Sequence, residues 1–209
     1  MQNIEFPHKQ VVIITNPNNP NGYAYKPQRL LDLADRLKSQ DSILVIDEAF
    51  CDVTRSLSLV DQNLPSNVIL MRSFGKFFGL AGLRIGIFRA SIDLQEKLQT
   101  LLGPWSVNGP AISIATQAFQ DTDWISETRK KLQQDSKELQ GILTKAKLDI
   151  IGATDLFCLI GSVHAEKIVH QLGQHGIHIR AFHENAEHLR FGLPANQDEF
   201  DRLKKALIF

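Results

Sequence analysis

Ser73-Phe74-Gly75-Lys76-Phe77-Phe78-Gly79-Leu80-Ala81-Gly82-Leu83-Arg84 is the stretch that decides how this chain is read. Its lysine stands among glycines and phenylalanines, which is not the setting of an ordinary surface charge. Desolvation of that kind favours the neutral, nucleophilic amine that attacks carbonyls. The hydroxyl of Ser73 precedes Lys76 and the guanidinium of Arg84 follows it, and both are natural phosphate ligands. Together these groups suit a lysine in Schiff base with an aldehyde that also carries a phosphate. Taken alone, Gly75-Lys76-Phe77 is most often a turn with a solvated lysine.

Two further segments favour the chemical reading. Val11-Val12-Ile13-Ile14-Thr15 is a continuous β-branched run, the pattern of a buried strand. It ends in Asn16-Pro17-Asn18-Asn19-Pro20-Asn21-Gly22, which must form a tight polar loop. Ile43-Leu44-Val45-Ile46 is a second buried strand, and its carboxyl end delivers Asp47. Ligands of open α/β sheets lie outside the carboxyl ends of the strands. An aspartate there can pair with a protonated pyridine nitrogen and make the ring a better electron sink. The aldehyde cofactor so implied is pyridoxal 5'-phosphate.

In this order the three segments resemble the signatures of the class I/II aminotransferase superfamily, fold-type I pyridoxal-phosphate enzymes. A fourth segment, Leu189-Arg190-Phe191-Gly192-Leu193-Pro194, fits the same pattern. The resemblance implies the C-terminal part of an α/β cofactor-binding large domain, residues 1–119, followed by a small α+β domain, residues 120–209. It implies that Asn19 bonds the cofactor's 3-oxygen and Asp47 its ring nitrogen. It further implies that Lys76 joins the aldehyde, that Ser73 and Arg84 hold the phosphate, and that Arg190 grips the substrate's α-carboxylate. Without the resemblance, an internal salt bridge would account for Arg190 equally well.

Within the superfamily, histidinol-phosphate aminotransferases commonly place tyrosine where this chain has Phe50. The lysine segment, Gly103-Pro104-Trp105-Ser106-Val107 and Ile179-Arg180-Ala181-Phe182 more closely resemble threonine-phosphate decarboxylases. That resemblance implies decarboxylation of L-threonine O-3-phosphate to (R)-1-amino-2-propanol O-2-phosphate in cobalamin biosynthesis, by a homodimer. A histidinol-phosphate-type aminotransferase is the alternative. A third expectation is an inactive, truncated fragment. Relatives carry a substantial segment before the Asn-Pro loop, with a glycine-rich phosphate turn and a ring-stacking aromatic, and here only Met1–Gln10 precede the first strand.

Bulk properties exclude several other classes. The 209 residues are 43% hydrophobic, enough for a real core. Twenty-three basic and 23 acidic residues cancel, so no field favours nucleic acid or membrane surfaces. No apolar run has the length of a membrane span, and Met1–Glu5 lack the features of a signal peptide. Cys51 and Cys158 have no metal or redox spacing and read as reduced, buried thiols. The expectation is a soluble cytoplasmic protein. Six of the seven histidines fall after residue 163, but their spacing matches no metal site.

Periodicity predicts a helix over 27–39 and strands over 43–47, 67–71 and 83–88. It predicts a long amphipathic helix over 121–148 with Ile125, Leu132, Leu139 and Ile142 on one stripe. A strand over 157–160, a helix over 165–172, strands over 177–180 and 188–191, and a closing helix over 197–208 complete the expectation.

Overall fold

A computed structural model describes residues 7–207. Met1–Glu5 and the expected last helical residue, Ile208, lie outside that range. The described residues form two compact units. One comprises the chain up to Asn18 and Ala24–Thr122; the other comprises Asn19–Tyr23 and the chain from Asp123 onward. The expected division at 119/120 assigns the units two consecutive stretches, whereas the second unit draws five residues from within the first.

The first unit is built on a four-stranded sheet in the order β1-β2-β3-β4. β1 (Val11–Thr15), β2 (Ile43–Asp47) and β3 (Val68–Ser73) run parallel, and β4 (Gly86–Arg89) closes the sheet antiparallel to β3. The crossover from β1 to β2 is α1 (Pro27–Lys38), with Pro27 in its first turn, where a missing N–H costs nothing. Leu30, Leu33, Ala34 and Leu37 recur at helical spacing and are buried against Leu44, Ile46, Val68 and Leu70 of the sheet. Burying the three leucines contributes about 5–9 kcal/mol as an upper estimate.

β1 corrects one expectation. Val11 is 61% and Ile13 70% exposed, so the β-branched run is not a buried strand. It is an edge strand of this sheet, and α1 packs only against the opposite face, so alternate residues stay open to solvent. β4 starts later than predicted because Ala81–Leu83 form a 3-10 turn and Arg84 is left-handed. Two helices not anticipated, α2 (Ile92–Leu102) and α3 (Gly109–Gln120), complete the unit. α3 starts where the Asn108 side chain accepts from Ala111 N.

The second unit has an antiparallel sheet in the order β5-β6-β8-β7. Its strands are β5 (Asp149–Thr154), β6 (Phe157–Gly161), β7 (Arg180–Ala181) and β8 (His188–Gly192). Helices α4 (Thr122–Lys145), α5 (Ala165–Gln174) and α6 (Gln197–Ala206) supply the rest. Cys158 and Ile160 of β6 face a core with Leu139, Leu143, Leu172, Leu189, Phe191, Phe200 and Leu203. On α4, Leu139 and Ile142 are buried while Ile125 and Leu132 are only half-buried, so the C-terminal half of the predicted stripe does the packing. Among the described residues no helix is long and apolar enough to cross a membrane.

Candidate functional site

In the first unit the carboxyl ends of β2 and β3 carry Asp47 and Ser73. Register places Asp47 beside Met71, so Asp47 and Ser73 fall on the same face of the sheet. Asp47 Oδ1 accepts from Ala49 N at 2.9 Å, which fixes its carboxylate at the strand end. Ser73 Oγ accepts from Gly75 N at 3.0 Å, turning the chain sharply out of β3. Asn16, fully buried, accepts from Tyr25 N at 2.7 Å and donates to Tyr25 O, closing the base of the Asn-Pro loop. Sequence reasoning read Asn16 only as a turn residue.

Ser73 and Arg84 line one cavity of about 230 Å³ together with Gly75, Ala81, Ile85 and Gly86. Arg84 is held over it by its left-handed backbone and a 3.1 Å bond from Nη1 to Ala81 O. A Cβ on Gly75 would stand 3.3 Å from both Cα and Cβ of Ala81, so glycine keeps this turn compact. A hydroxyl, a guanidinium and small residues that let backbone approach are the donor set of a phosphate cradle.

Lys76 departs from expectation, because it is exposed. The flanking phenylalanines turn inward instead: Phe74, Phe77 and Phe78 are buried, and Phe119 packs on Phe74 at 4.7 Å and on Phe78 at 5.3 Å. The aromatic side chains thus anchor the loop and leave the lysine outside. Its Nζ lies 5.4 Å from the centre of the Phe50 ring. Phe50 follows Asp47 by one short turn, which brings Lys76 to the same end of the sheet.

Behind Asp47 lies a polar cluster that the sequence did not reveal. Glu48 is fully buried; its carboxylate accepts from Leu59 N at 2.7 Å and from Ser58 Oγ. Asp52 pairs with Arg72, whose guanidinium lies 5.2 Å from the Phe119 ring centre. Burial pushes the Glu48 carboxyl above its ordinary value, against the bonds from Ser58 and Leu59 and the charge of Arg72. Burial likewise pushes the Cys51 thiol up, so it is no nucleophile. A carboxyl raised by folding contributes stability below its unfolded value and loses it as pH rises through the folded one. Thermal melts should therefore show the native protein losing ground to Glu48→Gln as pH climbs from the ordinary carboxylate range. A pH-independent difference between the two melting temperatures would show that Glu48 does not titrate this way.

The second unit holds Asn19 and Arg190. Arg190 Nη1 donates to Asn19 Oδ1, and its guanidinium lies 5.4 Å from the Phe157 ring centre. Among the described residues no carboxylate lies within ion-pair distance of Arg190, so the internal salt bridge is not formed there. Arg180 stands directly opposite it in the β7–β8 register. Burial first, and then the charge of Arg180, push the Arg190 guanidinium below its ordinary value. Arg180 is a site candidate that sequence reasoning passed over, since only strand pairing puts the two arginines side by side. Ser73, Lys76, Asp47 and Arg84 thus gather in the first unit, and Asn19 and Arg190 in the second. No group of three or more potential ligand side chains is arranged to hold a metal among the described residues.

Comparison with known proteins bears on this arrangement. Threonine-phosphate decarboxylase of Pseudomonas aeruginosa is 36% identical over 198 residues, covering 95% of this chain and 60% of that protein. Histidinol-phosphate aminotransferase 2 of Haemophilus influenzae (strain 86-028NP) is 30% identical over 210 residues, covering 96% and 57%. The crystal structure of histidinol-phosphate aminotransferase from Sinorhizobium meliloti in complex with pyridoxal-5'-phosphate superposes with a TM-score of 0.78 at 27% identity, covering 94% of this chain and 56% of that one. The chain thus spans about 60% of the length of the decarboxylase it matches. The family model described as aminotransferase class I and II matches residues 2–207, and the chain belongs to that family.

Proposed function

We propose that the whole protein uses pyridoxal 5'-phosphate to decarboxylate a phosphorylated amino acid, L-threonine O-3-phosphate, to (R)-1-amino-2-propanol O-2-phosphate. The observation that carries this reading is the cross-strand pair Arg180 and Arg190. Like charges directly opposite each other destabilise a sheet unless something answers them. A substrate bearing both a carboxylate and a phosphate supplies two anions to two guanidinium groups. The 36% identity to a threonine-phosphate decarboxylase, against 30% to a histidinol-phosphate aminotransferase, supports the same choice.

The residues present fit the cofactor. The cavity at Ser73, Gly75 and Arg84 has the donors and the open backbone that a phosphate needs. Asp47, at the strand end, suits a protonated ring nitrogen, and the Asn19 amide, whose oxygen accepts from Arg190, still has N–H donors that could serve the cofactor's 3-oxygen. When bound, the cofactor supplies an electron sink for the pair left on the substrate's α-carbon. Lys76 would be the residue that holds the cofactor's aldehyde, and its amine would be the group that supplies a proton at the substrate's α-carbon. Arg190 and Asn19 orient the carboxylate, and that pose decides whether carbon dioxide or a proton is lost.

The alternative, a histidinol-phosphate-type aminotransferase, is favoured by the Haemophilus relative and opposed by Phe50, where that group commonly has tyrosine. Cytoplasmic location, a role in cobalamin biosynthesis and a homodimer belong to the same proposal. α2 buries no residue, and its Leu101 and the following Trp105 are 83% and 95% exposed, an apolar surface suited to a second copy. Carboxyl-labelled threonine phosphate, offered without an oxo-acid acceptor, tests the reaction on this chain and on the full-length protein. Labelled carbon dioxide from the full-length form is expected, and a silent short form would mark the chain as an inactive part. No release from a cofactor-loaded full-length protein would overturn the reading; conversion of the cofactor to its pyridoxamine form would then favour transamination.

A further inference from the structure

Two glycines in the second unit each face the backbone of the other's chain neighbour, Gly152 that of Asn21 and Gly22 that of Ala153. A Cβ on Gly152 would fall 1.9 Å from Asn21 O and 2.7 Å from Asn21 C. A Cβ on Gly22 would fall 2.4 Å from Ala153 O and 2.7 Å from Ala153 C. Real Cβ atoms do not come that close to backbone, so the two segments touch main chain to main chain. Gly22 is also left-handed, with φ of 67°, a conformation that favours glycine. β5 slips register between Ile150 and Gly152, the bulge that presents Gly152 to this contact. The Asn21 side chain accepts from Tyr23 N at 3.0 Å and holds the five-residue segment in its turn.

Gly152 also has a fixed place in the sheet. It is opposite Leu159, Leu159 is opposite Arg190, and Arg190 is opposite Arg180, so one row crosses all four strands. Asn21 sits at the glycine end of that row, and Asn19, two residues away, accepts from the Arg190 guanidinium. Neighbouring strands lie about 4.8 Å apart, so Gly152 and Arg190 are roughly 10 Å from each other. Asn19–Asn21 form a turn and so span less than the roughly 7 Å of two extended residues, and the long arginine side chain reaches across the remainder. The segment is thus laid across the row, seated on Gly152 and ending on Arg190.

We propose that Gly152 is a positioning residue for the substrate carboxylate, acting through Asn21 and Asn19 to set the orientation of Arg190; this rests on the decarboxylase reading above. Any side chain at 152 lifts the segment off β5 and breaks the line from the bulge to the guanidinium. Leu159, between them in the row, is buried and keeps the spacing fixed.

The test is made in the full-length holoenzyme. Gly152→Ala should raise KM for threonine phosphate about tenfold, equivalent to about 1.4 kcal/mol, with the absorbance of the bound cofactor unchanged. In an Asn19→Ala background the same substitution should add nothing, because both act on one contact. Gly161→Ala, whose Cβ would meet Ile151 Cγ2 at an ordinary 3.5 Å, is the control and should leave KM unaltered. An unchanged KM in Gly152→Ala, or an equal cost with and without Asn19, overturns the proposal. Should Gly152→Ala not fold, Asn21→Ala loosens the same segment without crowding β5; a raised KM supports the proposal and an unchanged one overturns it. If the native protein turns over no substrate, the decarboxylase reading falls alone. Amide exchange at Asn21, Gly22 and Tyr23 then decides on Gly152: faster exchange in Gly152→Ala supports the seat, and unaltered protection overturns it.

Discussion

Lys76→Ala in the full-length protein is expected to melt like the native form and to lose covalent, borohydride-reducible attachment of pyridoxal phosphate altogether. The two halves of that expectation come from one arrangement. The loop is anchored by Phe74, Phe77, Phe78 and Phe119, which are untouched, while Lys76 is exposed and contributes little packing. Surface substitutions of that kind shift stability by about 0.5 kcal/mol or less. Activity should fall by about 10²–10⁴-fold or more, since the same amine holds the aldehyde and moves the proton. Reduction with borohydride followed by peptide mass analysis reads the first effect, and turnover reads the second. A reducible adduct that persists in Lys76→Ala would remove Lys76 from the proposed chemistry.

Arg190→Lys carries the second largest expected effect. The substitution keeps the charge and loses the planar fork that meets a carboxylate with two parallel bonds. It also shortens the reach to Asn19 and gives up the guanidinium's place over Phe157. Truncating one partner of a desolvated, hydrogen-bonded charge pair costs about 2–4 kcal/mol, or roughly 30- to 900-fold in kcat/KM. Cofactor uptake, which the proposal assigns chiefly to Ser73, Lys76, Asp47 and Arg84, should stay near its native level. Steady-state kinetics on threonine phosphate, beside a cofactor titration, separates the two. Lost cofactor binding with an unaltered KM would contradict a role on the substrate.

The parts of this architecture that could be read ahead of the structure are those governed by local rules. Pro27 and the spacing of Leu30, Leu33 and Leu37 specify α1 without help from the rest of the chain, and Asp47 ends a strand because the β-branched run stops there. What stayed hidden depends on partners far along the chain. The exposure of Val11 and Ile13 follows from α1 packing on the opposite face of the sheet, where Leu44 and Leu70 are buried. Met71 on the open face is exposed, and no period-two pattern discloses which face is covered. Lys76 was read as enclosed because its neighbours are aromatic, yet those rings turn away from it. Glu48 carries no role in the sequence reading, because its bonds to Ser58 and Leu59 cross a loop. β5 was missed since Gly152 interrupts a short apolar run directly after a long helix, and that interruption is where another segment rests. Arg180 beside Arg190 required the pairing of β7 with β8.

The five residues Asn19–Tyr23 have a consequence for how such a chain can be divided. The backbone passes between the two units three times, after Asn18, after Tyr23 and after Thr122. A gene cut at the last of these points would release a C-terminal piece with nothing over Gly152, its bulge opened to water and its arginine deprived of Asn19. To be grafted onto another protein, or expressed separately, that piece would have to travel with a tethered copy of the Asn-Pro turn. Recombination that swaps modules by single crossovers cannot make that transfer. The stitch that joins the two units in the chain is the same one that carries a residue to Arg190.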